Sequence, residues 1–349
     1  MAKATIKQVA AEAGVSTATI SRVLNSSGYV SREVKQRVMA AVTKLHYQPN
    51  AIARSLKQDK SFTIGVVLPD ISNPFFMTIC RGIEDIVQEQ GYHLLFCSSD
   101  EKPEKEEQLL HLMVEKRVDA IVLATTGGNE ELITRLAASG VCFILVDRRL
   151  ELELSESGAV VDLVAEDDVY GAYELTKQLI LAGHSVIGVI NGCMGVSTGQ
   201  DRFVGYLKAI HEAGLEHDPA LLYDGHFTEA GGRAAVRYFL QMAKPPSALL
   251  SFNNKMTFGA LVELTESGRD IPGDIAIASY GEIEAARLLK HSGIMYVDQK
   301  PYDLGIKAGQ TVLHRLEKGL DKSLDRDAAS PEPEPIRDIL QPALKTLPS

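Results

Sequence analysis

The chain has 349 residues, of which 45% are hydrophobic and 23% charged, and its formal net charge is −10. This composition is typical of a globular protein with two or three domains. No apolar run approaches the ~20 residues that a membrane-spanning helix needs, and residues 1–7 are not followed by the apolar segment of a secretory signal. We therefore expect a cytoplasmic protein that does not associate with a membrane.

The charge is divided unequally along the chain. Residues 1–60 hold ten Lys and Arg against three Asp and Glu, whereas residues 61–349 hold 26 against 43. A basic N-terminal segment on an acidic body predicts a polyanionic partner, such as nucleic acid, for that segment alone.

Residues 5–25 predict two short helices joined by a tight turn. Gly14 is expected to end the first helix and Ser16 to cap the second. Apolar residues at helical spacing supply the buried faces of the pair: Ile6, Val9, Ala10, Ala13, Val15, Ile20, Val23 and Leu24. The side chains left facing outward on the second helix are Thr17, Ala18, Ser21 and Arg22. This arrangement is a helix-turn-helix, whose second helix enters the DNA major groove.

A third helix is predicted over residues 32–45, with Ser31 as its cap and an apolar face that closes a three-helix core. Residues 50–57 can form a further helix, but one too short to be stable alone in water. Two interpretations of this basic segment remain open. It is either a linker that packs on the body or a segment that folds on DNA, with Leu56 wedged between base pairs.

From residue 61 onward, short apolar strands alternate with amphipathic helices. The predicted strands cover residues 62–69, 93–99, 120–125, 142–147, 186–192, 221–227, 248–253 and 275–280. Strict alternation of this kind favours parallel sheets covered on both faces by helices. The number of units exceeds one open sheet of ordinary size, so we predict two side-by-side subdomains.

The predicted fold class is therefore α/β, with an N-terminal all-α helix-turn-helix domain and a core of two parallel-sheet subdomains. The helix-turn-helix domain is assigned to residues 1–49 and the linker to residues 50–60. The first core subdomain is assigned to residues 61–163 and 293–325, and the second to residues 164–292 and 326–349.

Polar and aromatic residues follow the predicted strands, where ligands bind in open parallel sheets. They include Ser72, Asn73, Phe75, Asp147, Arg148, Asn191, Arg202, Asn253, Tyr280 and Gln299. A cleft that combines flat aromatic rings with hydrogen-bonding groups suits a small polyhydroxylated ligand. For Asn73 and Asp147, capping of a neighbouring helix is an equally good explanation. Asp167 and Asp168 are expected to cap a helix, and the charged residues 101–107 to form a solvated helix start.

Four cysteines, Cys80, Cys97, Cys142 and Cys193, lie far apart inside apolar stretches. We expect them to be small buried side chains in a reducing compartment, not metal ligands. No glycine-rich phosphate loop follows the first strand, and the nucleophile-elbow, P-loop and zinc-protease motifs do not occur. We therefore expect no metal, no cofactor and no enzymatic activity.

Three long motifs, in residues 5–25, 28–38 and 47–57, resemble the lactose-repressor/galactose-repressor (LacI/GalR) family of bacterial transcription regulators. The resemblance continues almost to the C-terminus and implies a body with the family's periplasmic-binding-protein-like sugar fold. The implied DNA-binding residues are Thr5, Ser16, Thr17, Ala18, Thr19, Ser21, Arg22, Asn25, Asn50, Ala53, Leu56 and Lys57. The implied effector residues are Ser72, Asn73, Phe75, Arg148, Arg202, Asn253 and Gln299, to which we add Tyr280 at a strand end.

Two departures from the family pattern concern the ligand. Asn254 and Gly281 stand where the family usually has acidic side chains, whereas Arg148 and Arg202 are retained. A cleft that loses carboxylates and keeps guanidinium groups favours an anionic ligand, because Arg pairs bidentately with carboxylate or phosphate. We therefore expect a sugar acid or phosphorylated sugar in preference to a neutral sugar, although Glu282 partly offsets this argument.

The predicted function is a sequence-specific DNA-binding transcriptional regulator, a repressor of a carbohydrate-utilisation operon. Its sugar or sugar-acid effector is expected to bind between the two core subdomains. Because each helix-turn-helix reads one half-site, we expect a homodimer on palindromic double-stranded operator DNA. The alternative is a sugar-binding protein without a regulatory role, which residues 61–349 alone would permit.

Overall fold

The computed structural model describes residues 4–24, 28–47, 60–151, 159–289, 292–324 and 334–347. The chain folds as two compact units, residues 1–61 and 62–349. Within the described ranges, no helix is long and apolar enough to cross a membrane. Five residues assigned to the operator surface lie outside the described residues, as does the predicted helix over residues 50–57: Asn25, Asn50, Ala53, Leu56 and Lys57.

The N-terminal unit contains the three predicted helices, α1 (Ile6–Ala13), α2 (Thr17–Leu24) and α3 (Arg32–Lys44). Gly14 ends α1 in the left-handed conformation, with φ of 64°. Ser16 Oγ accepts a hydrogen bond from the N–H of Thr19 (3.1 Å), and Ser31 Oγ accepts one from the N–H of Val34 (3.4 Å). The caps therefore satisfy backbone donors that have no partner inside their own helix, as predicted.

The core of this unit draws on all three helices. Its buried members are Val9, Ala10, Ala13, Ile20, Val23, Val38 and Ala41. Because a unit of about 60 residues buries little surface, the three fully buried residues Val9, Ile20 and Val38 carry a large share of its stability. The predicted three-helix core is confirmed.

The C-terminal unit is built on two six-stranded sheets. The first is entirely parallel, in the order β11-β5-β4-β3-β1-β2. Its strands are β1 (Thr63–Leu68), β2 (His93–Ser98), β3 (Ala120–Leu123), β4 (Phe143–Val146), β5 (Val161–Glu166) and β11 (Arg337–Leu340). On one face pack α4 (Pro74–Val87) and α11 (Pro301–Leu324), and on the other α5 (Pro103–Glu115) and α6 (Glu130–Ala138). We call this sheet and its helices the first lobe.

The second lobe has the strand order β12-β10-β9-β8-β6-β7, in which β12 alone is antiparallel to its neighbour. Its strands are β6 (Ile187–Asn191), β7 (Leu222–Asp224), β8 (Ala248–Ser251), β9 (Ala276–Tyr280), β10 (Met295–Asp298) and β12 (Ala343–Thr346). Helices α7 (Asp168–Leu181) and α8 (Ser197–Glu212) cover one face, and α9 (Glu229–Leu240) and α10 (Asn254–Glu266) the other. The predicted fold class is confirmed.

The structure differs from the sequence-based subdomain boundaries at three places. The divide at residue 164 falls inside β5, which pairs along its length in the first sheet. Strand β10, assigned to the first subdomain, pairs in the second sheet, and β11, assigned to the second, pairs in the first. Charged residues interrupt the apolar pattern of β5, and the short terminal strands carry no periodic signal, which is why the sequence misplaced them.

The cysteines differ in exposure. Cys80 is buried, Cys97 and Cys142 are half-buried, and Cys193 is exposed, so the expectation that all four are buried is wrong for Cys193. Cys193 lies in the loop after β6, beyond the apolar residues of that strand. Burial raises the pKa of Cys80 and of Cys142 to about 12, which keeps both thiols protonated.

Helices α4 and α11 approach each other closely through glycines. A Cβ placed on Gly82 would lie 2.9 Å from the Cα of Gly305 and would collide with the carbonyl oxygen of Tyr302. Since no real side chain tolerates such distances, the contact requires glycine at this position. The pair fixes α11, which follows β10 of the second lobe, onto the first lobe.

We expect Gly82→Ala to lower the free energy of unfolding by about 1–3 kcal/mol, because the added methyl group overpacks the α4–α11 contact. Denaturant unfolding monitored by circular dichroism measures the change. Arg81→Ala is the matched control on the same helix, since Arg81 is 64% exposed and forms only surface ion pairs. Equal stability of Gly82→Ala and the unsubstituted protein would contradict the close packing.

Candidate functional site

A cavity of about 350 Å³ lies between the two lobes, at the carboxyl ends of their strands. From the first lobe it is lined by Pro69, Asp70, Asn73, Phe75, Phe76, Asp100, Glu101, Asp147 and Arg148. From the second lobe it is lined by Thr198, Arg202, His226, Phe227, Thr228, Asn253, Asn254, Lys255 and Gln299. Its volume and its mixture of aromatic and polar groups are those of a small-molecule site.

Most of the predicted effector residues lie on this cavity wall: Asn73, Phe75, Arg148, Arg202, Asn253 and Gln299. Two do not. Ser72 donates to Asp70 Oδ1 (2.6 Å) and accepts from Lys255 Nζ (2.8 Å) beside the cavity. Tyr280 is fully buried, and the guanidinium carbon of Arg202 lies 3.9 Å from the centre of its ring. Tyr280 therefore supports Arg202 from behind.

The helix-capping explanation given for Asn73 is correct, and Asn253 caps a helix in the same way, whereas the next described element after Asp147 is the strand β5. Asn73 Oδ1 accepts from the N–H of Phe75 (3.1 Å) at the start of α4, and Asn253 Oδ1 accepts from the N–H of Met256 (3.0 Å) at the start of α10. Capping fixes both side chains beside the cavity. A structural role and a place on the cavity wall are therefore compatible for these residues.

Arg148 follows β4 and is almost fully buried. Its two terminal nitrogens donate to the two carboxylate oxygens of Glu101 (2.7 Å each), and Nη1 also donates to the carbonyl of Thr125 (3.0 Å). Its guanidinium carbon lies 5.0 Å from the ring centre of Phe227, in the second lobe. This bidentate pair with Glu101 neutralises the buried charge.

Arg202, in the second turn of α8, is held within the second lobe. Its Nε donates to Asp168 Oδ1 (2.7 Å) and its Nη1 to the carbonyl of Phe252 (2.7 Å). Burial alone would lower the pKa of Arg202, but the carboxylates of Asp168 and Asp147 raise it. The guanidinium therefore stays charged in this buried position.

Asp147 lies between the two guanidinium groups without a direct hydrogen bond to either. Its Oδ2 is 3.9 Å from Arg148 Nε, and its Oδ1 is 4.0 Å from Arg202 Nη2. Burial raises the pKa of Asp147 to about 6. The Asp147 carboxyl group faces the cavity, and desolvation disfavours its ionised form.

Polar pairs join the two lobes at the cavity. Asn73 Nδ2 donates to Asn254 Oδ1 (3.2 Å), and Asn254 Nδ2 donates to Asn73 Oδ1 (2.9 Å). Lys255 Nζ donates to Asp70 Oδ2 (2.7 Å). Burial would raise the pKa of Asp70, but the hydrogen bonds from Lys255 and Ser72 outweigh it and lower the pKa. These contacts are direct polar links between the lobes.

The backbone is bent into the left-handed region at five non-glycine residues of the cavity wall: Asp100, Glu101, Asp147, His226 and Phe227, with φ between 50° and 65°. Such conformations cost of order 1–3 kcal/mol each and persist where the surrounding structure enforces them. Their concentration at one cavity is typical of a functional site.

The expectation of an anionic ligand rests on guanidinium groups without acidic neighbours, and the structure contradicts that premise. Glu101 pairs with Arg148, and Asp168 pairs with Arg202. Asn254, which replaces a usual carboxylate, bonds to Asn73 and leaves neither guanidinium free. The sequence argument failed because both partners come from segments interpreted as a solvated helix start and a helix cap.

Sequence reasoning left several site residues out of its effector set: Asp70, Glu101, Asp147, Asp168, Phe227 and Lys255. The strand-end argument did identify Asp147, although the residue was not carried into the effector set, and it could also have found Lys255, which follows β8 within a few residues. Asp167 does cap α7, accepting from the N–H of Tyr170 (2.9 Å), but Asp168 does not share that role. No local signal distinguishes the two.

In the N-terminal unit, α2 presents Thr17, Ala18 and Arg22 at the surface, while Thr19 and Ser21 are half-buried. Ser16 is exposed, and its hydroxyl oxygen accepts the capping hydrogen bond at the start of α2. Thr5 forms a capping box with Gln8 at the start of α1, where the Thr5 N–H donates to Gln8 Oε1 (2.8 Å).

A helix-turn-helix unit joined to a body with a ligand-sized cavity between two lobes defines a DNA-binding transcriptional regulator with a ligand-binding domain. Residues 5–50 match the family model of bacterial regulatory proteins, lacI family. Residues 61–327 match the model of periplasmic binding proteins and sugar binding domain of LacI family. The chain belongs to the LacI family.

Similar proteins match along nearly the whole chain. The HTH-type transcriptional regulator RegA of Clostridium saccharobutylicum is 34% identical over 321 residues, which cover 92% of this chain and 94% of RegA. The HTH-type transcriptional repressor PurR of Actinobacillus pleuropneumoniae serotype 3 (strain JL03) is 31% identical, covering 92% and 93%. The transcriptional regulator CelR–cellobiose complex has a TM-score of 0.70 at 27% identity and covers 98% of both chains.

We expect Asp147→Asn to stabilise the ligand-free protein at pH 8 but not at pH 4. The pKa of Asp147 is about 6 in the folded protein against an ordinary value of 3.8, so between these values the unfolded chain has lost a proton that the folded chain retains. Stability therefore falls as pH rises through this window, by roughly 2–3 kcal/mol. The substitution removes that loss.

Urea unfolding at the two pH values measures the difference. Glu107→Gln, at an exposed carboxylate on α5, is the control for the loss of a surface carboxylate, and its effect should be small. A pH-independent effect of Asp147→Asn would contradict the assignment.

Proposed function

We propose that the protein is a sequence-specific repressor that binds palindromic operator DNA as a homodimer in the cytoplasm and responds to a neutral sugar bound between its lobes. The operon would be one for carbohydrate use. The observation that carries the ligand assignment is that both guanidinium groups of the cavity are already paired with carboxylates, while Asp147 remains available as an acceptor.

The distances around Asp147 suit hydroxyl groups. Each gap to a guanidinium nitrogen, 3.9 Å to Arg148 and 4.0 Å to Arg202, is too long for a direct hydrogen bond. A hydroxyl oxygen about 2.8 Å from both atoms of a gap would accept from the guanidinium and donate to the carboxylate. Arg148 Nε has no hydrogen-bond partner among the described residues, so it retains a donor for this purpose. Two neighbouring hydroxyls of one sugar ring would occupy both gaps.

Charge disfavours an acidic ligand. The three Arg and Lys side chains on the described cavity wall pair with Glu101, Asp168 and Asp70. Asp147 adds a further negative charge. A sugar acid that bound to Arg148 or Arg202 would have to displace a carboxylate from a buried partner, whereas a neutral sugar would not. The saccharide in the similar CelR–cellobiose complex agrees with this choice.

The alternative of a sugar-binding protein without a regulatory role leaves residues 5–50 unexplained, since they match the regulatory-protein model. The exposed face of α2 supplies the operator contacts. Arg22 is placed for bidentate hydrogen bonds to a guanine, and a pair of such helices requires two half-sites.

We expect Arg22→Ala to cost about 1–3 kcal/mol at one guanine-containing operator position and to relax specificity there. An operator selected from random DNA, with single-base variants, allows the measurement by fluorescence anisotropy. Lys35→Ala, at an exposed basic residue of α3, is the control and should weaken all sequences equally and reduce the salt dependence. If Arg22→Ala instead weakened binding to all operator variants equally, Arg22 would contact a phosphate and not a base.

A thermal-shift screen of neutral sugars, followed by calorimetry, tests the effector. For the best sugar and its corresponding acid, such as glucose and gluconate, the neutral member should bind at least about tenfold more tightly, equivalent to about 1.4 kcal/mol. Arg202→Ala should abolish the effect of the sugar on operator binding and leave operator binding by the ligand-free protein unchanged. Tighter binding of the acid, or binding of no neutral sugar at all, would contradict the neutral-sugar proposal.

A further inference from the structure

Glu106 of α5 is a buried carboxylate that does not line the cavity. Its exposed fraction is 0%. Oε1 accepts from Thr125 Oγ1 (3.0 Å) and Asn129 Nδ2 (3.0 Å), and Oε2 accepts from the N–H (2.6 Å) and Oγ1 (3.1 Å) of Thr126. All four donors belong to residues 125–129, the loop between β3 and α6. One side chain therefore organises the whole loop.

This loop could not hold its shape on local interactions alone. Gly127 and Gly128 both have φ of 81°, a region open to glycine and poorly accessible to other residues. Among the described residues, two other side chains accept from backbone N–H groups of the loop: Thr125 Oγ1 from Gly127 (3.0 Å) and Glu130 Oε1 from Gly128 (3.1 Å). The carboxylate of Glu106 supplies the fixed acceptor that compensates for two flexible residues.

The loop does not line the effector cavity, but it contacts Arg148, which does, and a loop of the second lobe. The carbonyl of Thr125 accepts from Arg148 Nη1 (3.0 Å), which fixes the guanidinium in the first lobe. Gly127 also contacts the second lobe. It packs so closely on the loop before α8 that a Cβ on it would lie 3.0 Å from the carbonyl oxygen of Gly195. Helix α8 carries Arg202. The loop thus touches Arg148 directly and touches the segment that precedes the helix of Arg202.

We propose that Glu106 is a positioning residue of the effector site, which acts through the 125–129 loop on Arg148 and on the contact between Gly127 and Gly195. The proposal rests on the proposed function for its ligand, and on the geometry of the loop for its mechanism. It requires an acceptor at both carboxylate oxygens, since the Thr126 N–H and the Asn129 NH₂ can only donate. In Glu106→Gln, whichever way the amide is turned, its NH₂ meets either the Thr126 N–H or the Asn129 NH₂.

The matched control is Asp162→Asn. Asp162 is also a buried carboxylate with several donors, accepting from Arg315 Nε (2.7 Å), Arg315 Nη2 (2.6 Å) and the N–H of Ile336 (2.8 Å). It does not line the cavity or contact the 125–129 loop. Both substitutions are expected to lower the melting temperature, so stability alone does not separate a positioning role from a structural one.

Hydrogen exchange on the full-length ligand-free protein separates them. We expect Glu106→Gln to speed amide exchange in residues 124–131 and also in residues 192–199 of the other lobe, and Asp162→Asn to change neither. An increase confined to residues 124–131, or none, would overturn the proposal whether or not a sugar binds.

The second measurement uses the neutral sugar that most raises the melting temperature of the unsubstituted protein. Glu106→Gln should weaken its binding at least tenfold and leave ligand-free operator affinity within twofold, whereas Asp162→Asn should leave sugar affinity within twofold. Equal sugar affinity in all three proteins would overturn the positioning role. Failure of every sugar to bind the unsubstituted protein would count against the proposed effector, and the exchange result would then decide the role of Glu106.

Discussion

Arg148 and Arg202 place two positive charges in buried positions between the lobes. The rest of the body must supply acceptors for both. Removing a guanidinium from water costs several kcal/mol unless a carboxylate and further acceptors replace the solvent. Glu101 and a backbone carbonyl do this for Arg148, and Asp168 and another carbonyl do it for Arg202. These partners follow different strands, so it is the order of strands in each sheet that places them together.

Each guanidinium pairs with a carboxylate of its own lobe, and this arrangement affects how easily the lobes can separate. Separation of the lobes would leave both buried ion pairs intact and would break mainly polar contacts such as the Asn73–Asn254 pair. Two hydrogen-bonded ion pairs join the lobes, Lys255–Asp70 and Arg149–Asp201, and both are partly exposed and therefore inexpensive to break. The buried carboxylate of Asp147, 4.0 Å from Arg202, would keep Arg148 of its own lobe as a neighbour. The body can change the distance between its lobes without stranding a charge, as a ligand-responsive regulator requires.

Residue type and spacing along the sequence predicted the helices and the apolar strands. They did not predict where the chain passes from one lobe to the other. Caps such as Gly14 and Ser31 and the fully apolar strands follow from residue type and spacing. Strand β5 was missed because Asp162 and Glu166 interrupt its apolar pattern, although Asp162 is satisfied by Arg315, 153 residues away. At the cavity, strand ends identified most of the polar groups, but the pairing of Glu101 with Arg148 spans 47 residues and depends on sheet order.

The route of the chain between the lobes bears on how the protein is made. The chain crosses after β5, after β10 and again between β11 and β12, so the last described strands complete the edge of the first sheet and then of the second. Neither lobe is a continuous stretch of sequence, whereas the N-terminal unit is one. During translation the DNA-binding unit can fold as it leaves the ribosome, while both lobes await residues 337–346. A nascent chain therefore acquires its DNA-binding unit well before the domain that would control it.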